Sequence, residues 1–386
     1  MGGRRVFRDD TLNAAGRNSD LTARIAPLFD MPGEPVGMFP MGSGNINDTF
    51  LSVYRTSYSE ARCVIQKVNT RVFRDPEALM GNYRRVTEHV HGKLHRERGS
   101  ADRIWQLPRM IACKDGSDWR VDGQGQFWRA ITLIDSAMAF DQAQGLEHAR
   151  EAGTVLGQFH CLVMDMDPSS LAVTIPGFHH TPGYLAAFDK VLATESVRDL
   201  IRGDGMVGEL CRFVEERRAL CEVLEAAKAR GEVAVRIMHG DPKISNILMD
   251  RITGRGTSII DLDTVGAGLV HWDYGDAVRS LCNPAGEDAP DLASVEFSVE
   301  LCHAFTEGYL RQAGFLSEAD KAHLYDAVRL IAFELGLRFL QDYLAGNVYF
   351  KVRHRGHNLH RAAVQFSLCK QVEAHEKAIR RLCDAT

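Results

Sequence analysis

The stretch Met238–Leu248, MHGDPKISNIL, sets a glycine and a proline among His239, Asp241, Lys243 and Asn246, then turns apolar. Gly240 and Pro242 interrupt regular structure, so the segment reads as a loop. The residues that follow, Asn246–Asp250 (NILMD), read as a short buried strand. A second strand is expected at Gly256–Ile260, ending in DLDT, Asp261 to Thr264. Polar groups held on loops beside buried strands require a task. Two such loops, each presenting a carboxylate, can hold a metal ion and a phosphate.

Nucleotide-dependent phosphoryl transfer needs a phosphate cradle, a bound Mg²⁺, an oriented acceptor hydroxyl and a cation for the moving phosphoryl group. The catalytic loop of protein kinases spaces its parts as His-Arg-Asp, four residues, then Asn. Here His239-Gly240-Asp241 precedes four residues and Asn246. In this reading Asp241 accepts or orients the acceptor's hydroxyl proton, and Lys243 faces the transferring phosphate. Asn246 offers an amide oxygen to a hard cation, and Asp261 bridges metal and phosphates. The competing reading is a turn in which Asp241 and Asn246 make local hydrogen bonds to backbone. The strand-ending IIDLD at the expected distance favours the first.

Upstream, Gly42-Ser43-Gly44 lies between two expected strands. It reads as a glycine loop whose N–H groups meet phosphate oxygens, or as a hairpin turn. Asn45, Asn47 and Asp48 beside it are either turn residues or ligand contacts. Lys67, in CVIQKVN (63–69), is either the strand lysine that grips the phosphates or a lysine on a solvated face. Glu77 and Glu88 on the next helix are its two candidate partners. Asp273 and Asp276, in HWDYGDAVR (271–279), are read as supports, one capping the helix that follows and one bracing the catalytic loop. His179 and His180, in IPGFHHTPG (175–183), and His239 read as structural, with His239 orienting the loop.

The 386 residues leave room for two lobes. Strand-like runs at Pro35–Pro40, Thr49–Thr56 and Arg62–Val68 precede a helix expected at Pro76–Leu94. A hairpin follows at Trp119–Trp128, its second strand reaching Ile134. Helices are then expected over 146–163, 206–230, 293–313, 317–345 and 357–384. The expectation is an α+β chain: residues 1–32 a tail and a short helix capped by Asp20, 33–135 a small antiparallel-sheet lobe, 136–386 a mainly helical lobe. The net charge of −5 and the pI near 6.3 argue against a nucleic-acid binder. No apolar run is long enough for a membrane span, and the N-terminus has no signal-peptide core. The nine cysteines are scattered, with no C-x-x-C pair, so neither a disulfide framework nor a zinc site is expected. A soluble cytoplasmic protein follows.

On these residues the chain resembles the aminoglycoside phosphotransferase/choline kinase superfamily, which shares the protein-kinase fold. Within it the likeness is to the N-acetylhexosamine 1-kinase branch. The likeness includes GSGNINDTF (42–50), VIQKVNTRVFRDPEALM (64–80), HGDPKISNILMD (239–250), IIDLDTVGAG (259–268), DYGDAVR (273–279) and GLRFLQDYLAGNVYF (336–350). It implies a two-lobed kinase-like fold that uses ATP and Mg²⁺ to phosphorylate the anomeric hydroxyl of a hexosamine. Asp241 and Lys243 would be catalytic, and Asn246 and Asp261 the metal ligands. Gly42, Ser43, Gly44, Lys67 and Ile134 would meet the nucleotide, with adenine at the junction Ile134-Asp135. Asn45, Asp263, Thr264 and Arg338 would meet the acceptor, although Arg338 equally fits a buried ion-pair partner. The chain departs from the branch at Asn45, where its loop often carries His, at His-Gly-Asp in place of His-Asn-Asp, and at Gly81. Two rivals stay open. An aminoglycoside or small-alcohol phosphotransferase would show a strongly acidic acceptor pocket. A nucleotide-binding pseudokinase would not need Asp241, Asn246 and Asp261 together. The expected partners are a nucleotide and a small-molecule acceptor, with neither nucleic acid nor membrane.

Overall fold

The computed structural model describes residues 18–42, 46–96 and 105–384. The chain divides into two compact units. The first runs to Met138 and takes in 169–175 and 250–253, and the second holds the remainder.

The first unit is built on a six-stranded antiparallel sheet of β1 (Glu34–Pro40), β2 (Asp48–Arg55), β3 (Glu60–Val68), β4 (Met110–Ile111), β5 (Trp119–Val121) and β6 (Phe127–Thr132). Its order is β1-β2-β3-β6-β4, with β5 returning on β6 as the expected hairpin. Side chains alternate between the faces of a strand. On one face Met38, Tyr54, Cys63, Ile65 and Trp128 enclose Ile25 and Phe29, near the N-terminal helix α1 (Ser19–Arg24). On the other, Val68 and Phe127 pack on Leu79 and Met80 of α2 (Pro76–Arg96). Each such buried side chain contributes about 1.5–3 kcal/mol. Helix α1 is capped by Asn18, whose Oδ1 accepts the Leu21 N–H at 3.0 Å, and not by Asp20. It stops at Arg24 because Pro27 falls in a separate 3₁₀ turn, Ala26–Leu28.

The second unit is mainly helical. Helix α3 occupies Leu146–Val163, as the periodicity predicts. Two helices that the sequence reading missed follow, α4 (Thr181–Leu192) and α5 (Glu195–Gly203). The helix expected over 206–230 is broken into α6 (Gly205–Glu215), a 3₁₀ turn and α7 (Val223–Ala229). The break falls at Arg217 and Arg218, whose guanidinium groups reach Glu373 at 2.8 Å and Asp189 at 2.5 Å. After Arg236–Met238 comes the loop that carries His239, Asp241, Lys243 and Asn246, then Ile247–Asp250 antiparallel to Gly256–Ile259. The strand Gly266–Gly268 pairs back on Arg236–Met238.

The remaining helices are α8 (Val270–Leu281), α9 (Val299–Leu310), α10 (Glu318–Ala322), α11 (Leu324–Leu344), α12 (His357–Ala374) and α13 (Glu376–Asp384). Three of the long helices expected here are therefore shortened or split. Ser298 and Ser317 set two starts, each hydroxyl accepting a backbone N–H of the first turn. Helices α3 and α9 meet backbone to backbone. A Cβ added at Gly153 would overlap the carbonyl oxygen of Phe305, and one at Gly308 that of Arg150. None of the nine cysteines forms a disulfide; eight are buried and Cys161 is partly so. Among the described residues no helix is long and apolar enough to cross a membrane.

Candidate active site

The loop after Met238 is fixed by its own backbone and by helix α8 below it. Gly240 has φ +89°, the left-handed region that glycine enters without strain. A Cβ there would lie 2.7 Å from both the Cβ and the carbonyl oxygen of Thr264. Gly240→Ala is therefore expected to cost about 1–3 kcal/mol from backbone strain alone, and to displace Asp241. Urea unfolding read alongside kcat would check both effects.

Asp273 does most of the bracing. It is fully buried, and its Oδ2 accepts the His239 N–H at 2.6 Å while Oδ1 accepts the Gly240 N–H at 2.7 Å. His160 of α3 also hydrogen-bonds Oδ2, at 2.8 Å, and its other nitrogen meets the Tyr309 hydroxyl of α9 at 3.0 Å. Burial raises the Asp273 pKa, but the hydrogen bond and charge of His160 and the backbone donors outweigh it, so the carboxyl lies below its ordinary range. The expected brace is thus Asp273. The expected helix cap is not found: both aspartates lie inside α8, which begins after Leu269 with no side-chain cap. Asp276 instead accepts from Arg279 at 2.8 Å, and its buried Oδ2 has no hydrogen bond among the described residues.

His239 ties the two loops together. Its Nδ1 accepts the Asp241 N–H at 3.2 Å, which leaves Nε2–H to donate to the Ile260 carbonyl at 3.0 Å. Burial lowers its pKa further than Asp273 and Asp241 raise it, so the ring is neutral, in agreement with that tautomer. Thr264 Oγ1 donates to the His239 carbonyl at 2.9 Å, and the Ile260 N–H to the Asn246 carbonyl at 2.9 Å. The loop that carries Asp261 is thereby locked to the loop that carries Asp241. Asp261 itself has φ +67°, a left-handed backbone that non-glycine residues adopt seldom and at functional sites.

The structure brings Asp241, Lys243 and Asn246 into contact. Lys243 Nζ lies 2.6 Å from Asp241 Oδ2, both side chains being about one-third exposed. Burial opposes the lysine's charge, and Asp241, Asp261 and Asp276 together outweigh it, so the ammonium is held above its ordinary range. Asn246 Nδ2 donates to the Asp241 carbonyl at 2.8 Å. Its Oδ1 makes no hydrogen bond among the described residues and is left for another partner. An amide oxygen on one loop and the Asp261 carboxylate on the loop hydrogen-bonded to it are hard-oxygen donors of the kind Mg²⁺ takes, and Mg²⁺ needs few protein ligands when phosphates supply the rest. Among the described residues no group of three or more His, Cys, Asp or Glu gathers to hold a metal, here or elsewhere.

Other predicted residues are less closely gathered. Gly42 has φ +76°, and Ser43, Gly44 and Asn45 lie outside the described residues. Asn47 accepts the Asn69 N–H at 2.9 Å. Ile134 is buried, its carbonyl accepting the Ala137 N–H at 3.4 Å. Lys67 pairs with Asp48 across the strands at 2.6 Å, and neither Glu77 nor Glu88 is its partner; Glu88 pairs with Arg84 at 2.8 Å. The reason is strand alternation. Lys67 shares the face of Cys63 and Ile65, while Gln66 shares that of Val68 and α2. Gln66 Oε1 there accepts from Arg129 at 2.7 and 2.9 Å, with the guanidinium 5.2 Å from the Tyr83 ring.

Asp263 is buried. Arg338 on α11 sits 5.0–5.9 Å from the ring centres of Phe178, Tyr184, Tyr349 and Phe350. Burial works against its charge, and Tyr184, Glu334 and Tyr349 favour it more, so it remains a cation. The loop that brings Tyr349 and Phe350 to it hangs on one carboxylate. Asp342 accepts the N–H groups of Val348 and Tyr349 at 2.8 Å and of Phe350 at 3.0 Å.

A carboxylate paired with a lysine, an asparagine hydrogen-bonded to the same loop and a second carboxylate on the adjoining loop are groups that can serve transfer of a phosphoryl group to a hydroxyl. Fold and site together define a kinase-like phosphotransferase acting on an alcohol group. The sequence model of the phosphotransferase enzyme family (APH) matches residues 42–319, and the chain belongs to that family. Among solved structures, an aminoglycoside phosphotransferase from Alicyclobacillus acidocaldarius is 15 % identical with a TM-score of 0.58, over 94 % of this chain and 96 % of that one. A choline kinase from Cryptosporidium parvum is 14 % identical with a TM-score of 0.56, over 89 % and 90 %. A spectinomycin phosphotransferase solved with ADP and spectinomycin is 12 % identical with a TM-score of 0.50, over 97 % and 100 %. At these identities the likeness is one of fold.

Proposed function

We propose that the protein phosphorylates the anomeric hydroxyl of an N-acetylhexosamine or related hexosamine, with ATP and Mg²⁺. Asp241 Oδ1, free of hydrogen bonds among the described residues, takes the hydroxyl's proton as the oxygen attacks the γ-phosphorus and the bond from that phosphorus to the bridging oxygen breaks, releasing ADP. Lys243 leaves Asp241 to meet the charge on the transferring group. Asn246 and Asp261 would hold the Mg²⁺, and that ion would supply positive charge to the phosphate oxygens. Gly42 to Gly44, Lys67 and Ile134 serve the nucleotide; Asn45, Asp263, Thr264 and Arg338 serve the sugar.

The observation that carries the choice of acceptor is Arg338. Its fixed cation, ringed by four aromatic groups, would repel a polycationic aminoglycoside or a quaternary ammonium, and it suits a neutral, hydroxyl-rich molecule. ADP release would be measured on N-acetylglucosamine, N-acetylgalactosamine, glucosamine, choline and kanamycin, with the methyl glycosides as controls. Turnover that is lost when the anomeric oxygen carries methyl supports the proposal, and turnover on kanamycin or choline alone sinks it. Arg338→Lys is expected to raise the acceptor KM by about tenfold, some 1.4 kcal/mol, and to leave the ATP KM unchanged. A lysine cannot reproduce the planar, stacked contact.

A further inference from the structure

His179 has a backbone and a set of neighbours that no structural filler needs. Its φ is +57°, a strained left-handed conformation for a histidine in a turn that begins at Gly177, φ +73°. The side chain is buried and stacks on Trp272 of α8, ring centres 5.6 Å apart. Its Nδ1 lies 2.9 Å from Glu334 Oε1 and its Nε2 lies 3.2 Å from the Gly240 carbonyl oxygen. The Gly240 carbonyl can only accept. Burial raises the Glu334 pKa, but His179, Arg338 and the Thr181 hydroxyl outweigh it, so Glu334 lies below its ordinary range and accepts as a carboxylate. Both ring nitrogens therefore donate, and the ring is an imidazolium. Glu334 is 1 % exposed, and its second oxygen accepts the Thr181 hydroxyl at 2.6 Å.

We propose that His179 is a positioning residue: a doubly protonated ring that grips the Gly240 carbonyl and so aims Asp241, which follows in the chain, from helix α11. The same α11 carries Arg338 one turn beyond Glu334, so the element proposed to meet the acceptor also holds the catalytic loop. The charged groups facing the ring are Glu334 and Arg338, both from α11. Burial lowers the pKa of His179 and Arg338 lowers it further, but the Glu334 carboxylate outweighs them and the pKa is raised. Asp273 fixes the two N–H groups of the His239-Gly240 segment from one side, and His179 fixes the carbonyl of Gly240 from another. Together they hold Gly240, the residue that precedes Asp241, by both its N–H and its carbonyl.

The activity arm of the test rests on the acceptor reading above, and the spectroscopic arm does not. With N-acetylglucosamine, ATP and Mg²⁺, His179→Gln and Glu334→Gln are each expected to lower kcat by about 10- to 100-fold, the scale of an ångström's misplacement, with KM for ATP unchanged. The double variant is expected to be no worse than the worse single one, because the two side chains act as one unit. In the wild-type chain, ¹⁵N spectra of the histidine rings at about pH 7.5 are expected to show both nitrogens of His179 protonated, above the ordinary histidine value of about 6.5. A neutral single tautomer there overturns the proposal, as do variants with wild-type kcat. If the wild type transfers no phosphate to the sugar, the acceptor reading fails, and the ring spectrum still decides the state of His179.

Discussion

Asp241→Asn is expected to lower kcat by about 10²–10⁴-fold, the usual contribution of a general base, with nucleotide affinity and folding retained. Asparagine keeps the shape and can still hydrogen-bond the acceptor, but it cannot take the proton. Stability should hardly move, because the pair with Lys243 is one-third exposed on both sides, where such pairs contribute about 0–1 kcal/mol. Lys243 is freed by the change, so nucleotide binding is kept or tightened. Paired measurements of ADP release and of nucleotide binding by calorimetry check the result. A variant as active as wild type would remove Asp241 from the chemistry. A wild type that binds ATP and turns over no acceptor would return the pseudokinase reading.

Asp273→Ala is expected to unfold the catalytic loop before it alters any substrate contact. Three donors, the N–H groups of His239 and Gly240 and the ring of His160, would lose their acceptor in a site with no exposure to water. Breaking a buried, hydrogen-bonded carboxylate interaction costs about 3–5 kcal/mol, a large share of a domain's stability. Urea denaturation should register it as a lower midpoint, with activity lost in parallel. Asp273→Asn would discriminate charge from shape, since it retains one acceptor oxygen and presents its amide to a group that wants to donate. The pH dependence has a definite sign. With its pKa depressed in the folded chain, Asp273 contributes stability above the unfolded carboxyl value of about 3.9. That contribution is lost as pH falls through the lower folded value.

Much of this site was legible because it is local. Asp241, Lys243 and Asn246 lie within six residues, and spacing alone gathers them on one loop. The sheet and helix α3 were legible from alternation and periodicity. Asp273 was legible as a support, but its neighbour Asp276 was read as interchangeable with it, and only the helix distinguishes the residue facing the loop from the one facing Arg279. Lys67 shows how a strand misleads: one residue of shift turns a side chain to the other face, and Gln66, not Lys67, meets α2. His179 and Glu334 are 155 positions apart, and no local pattern announces that they touch. Helices α4 and α5 are short, and loop-like glycine, proline and threonine residues obscure their starts.

The two glycines where α3 and α9 cross reach further than packing. His160 belongs to α3 and Tyr309 to α9, and both stand in the line of hydrogen bonds that ends on the backbone of Gly240. The distance between the helices therefore sets the length of that line. One methyl group at Gly308 would push the helices apart and slacken the aim of a carboxylate that it never touches. Residues that read as spacers on a helical surface thus belong, in effect, to the calibration of the enzyme.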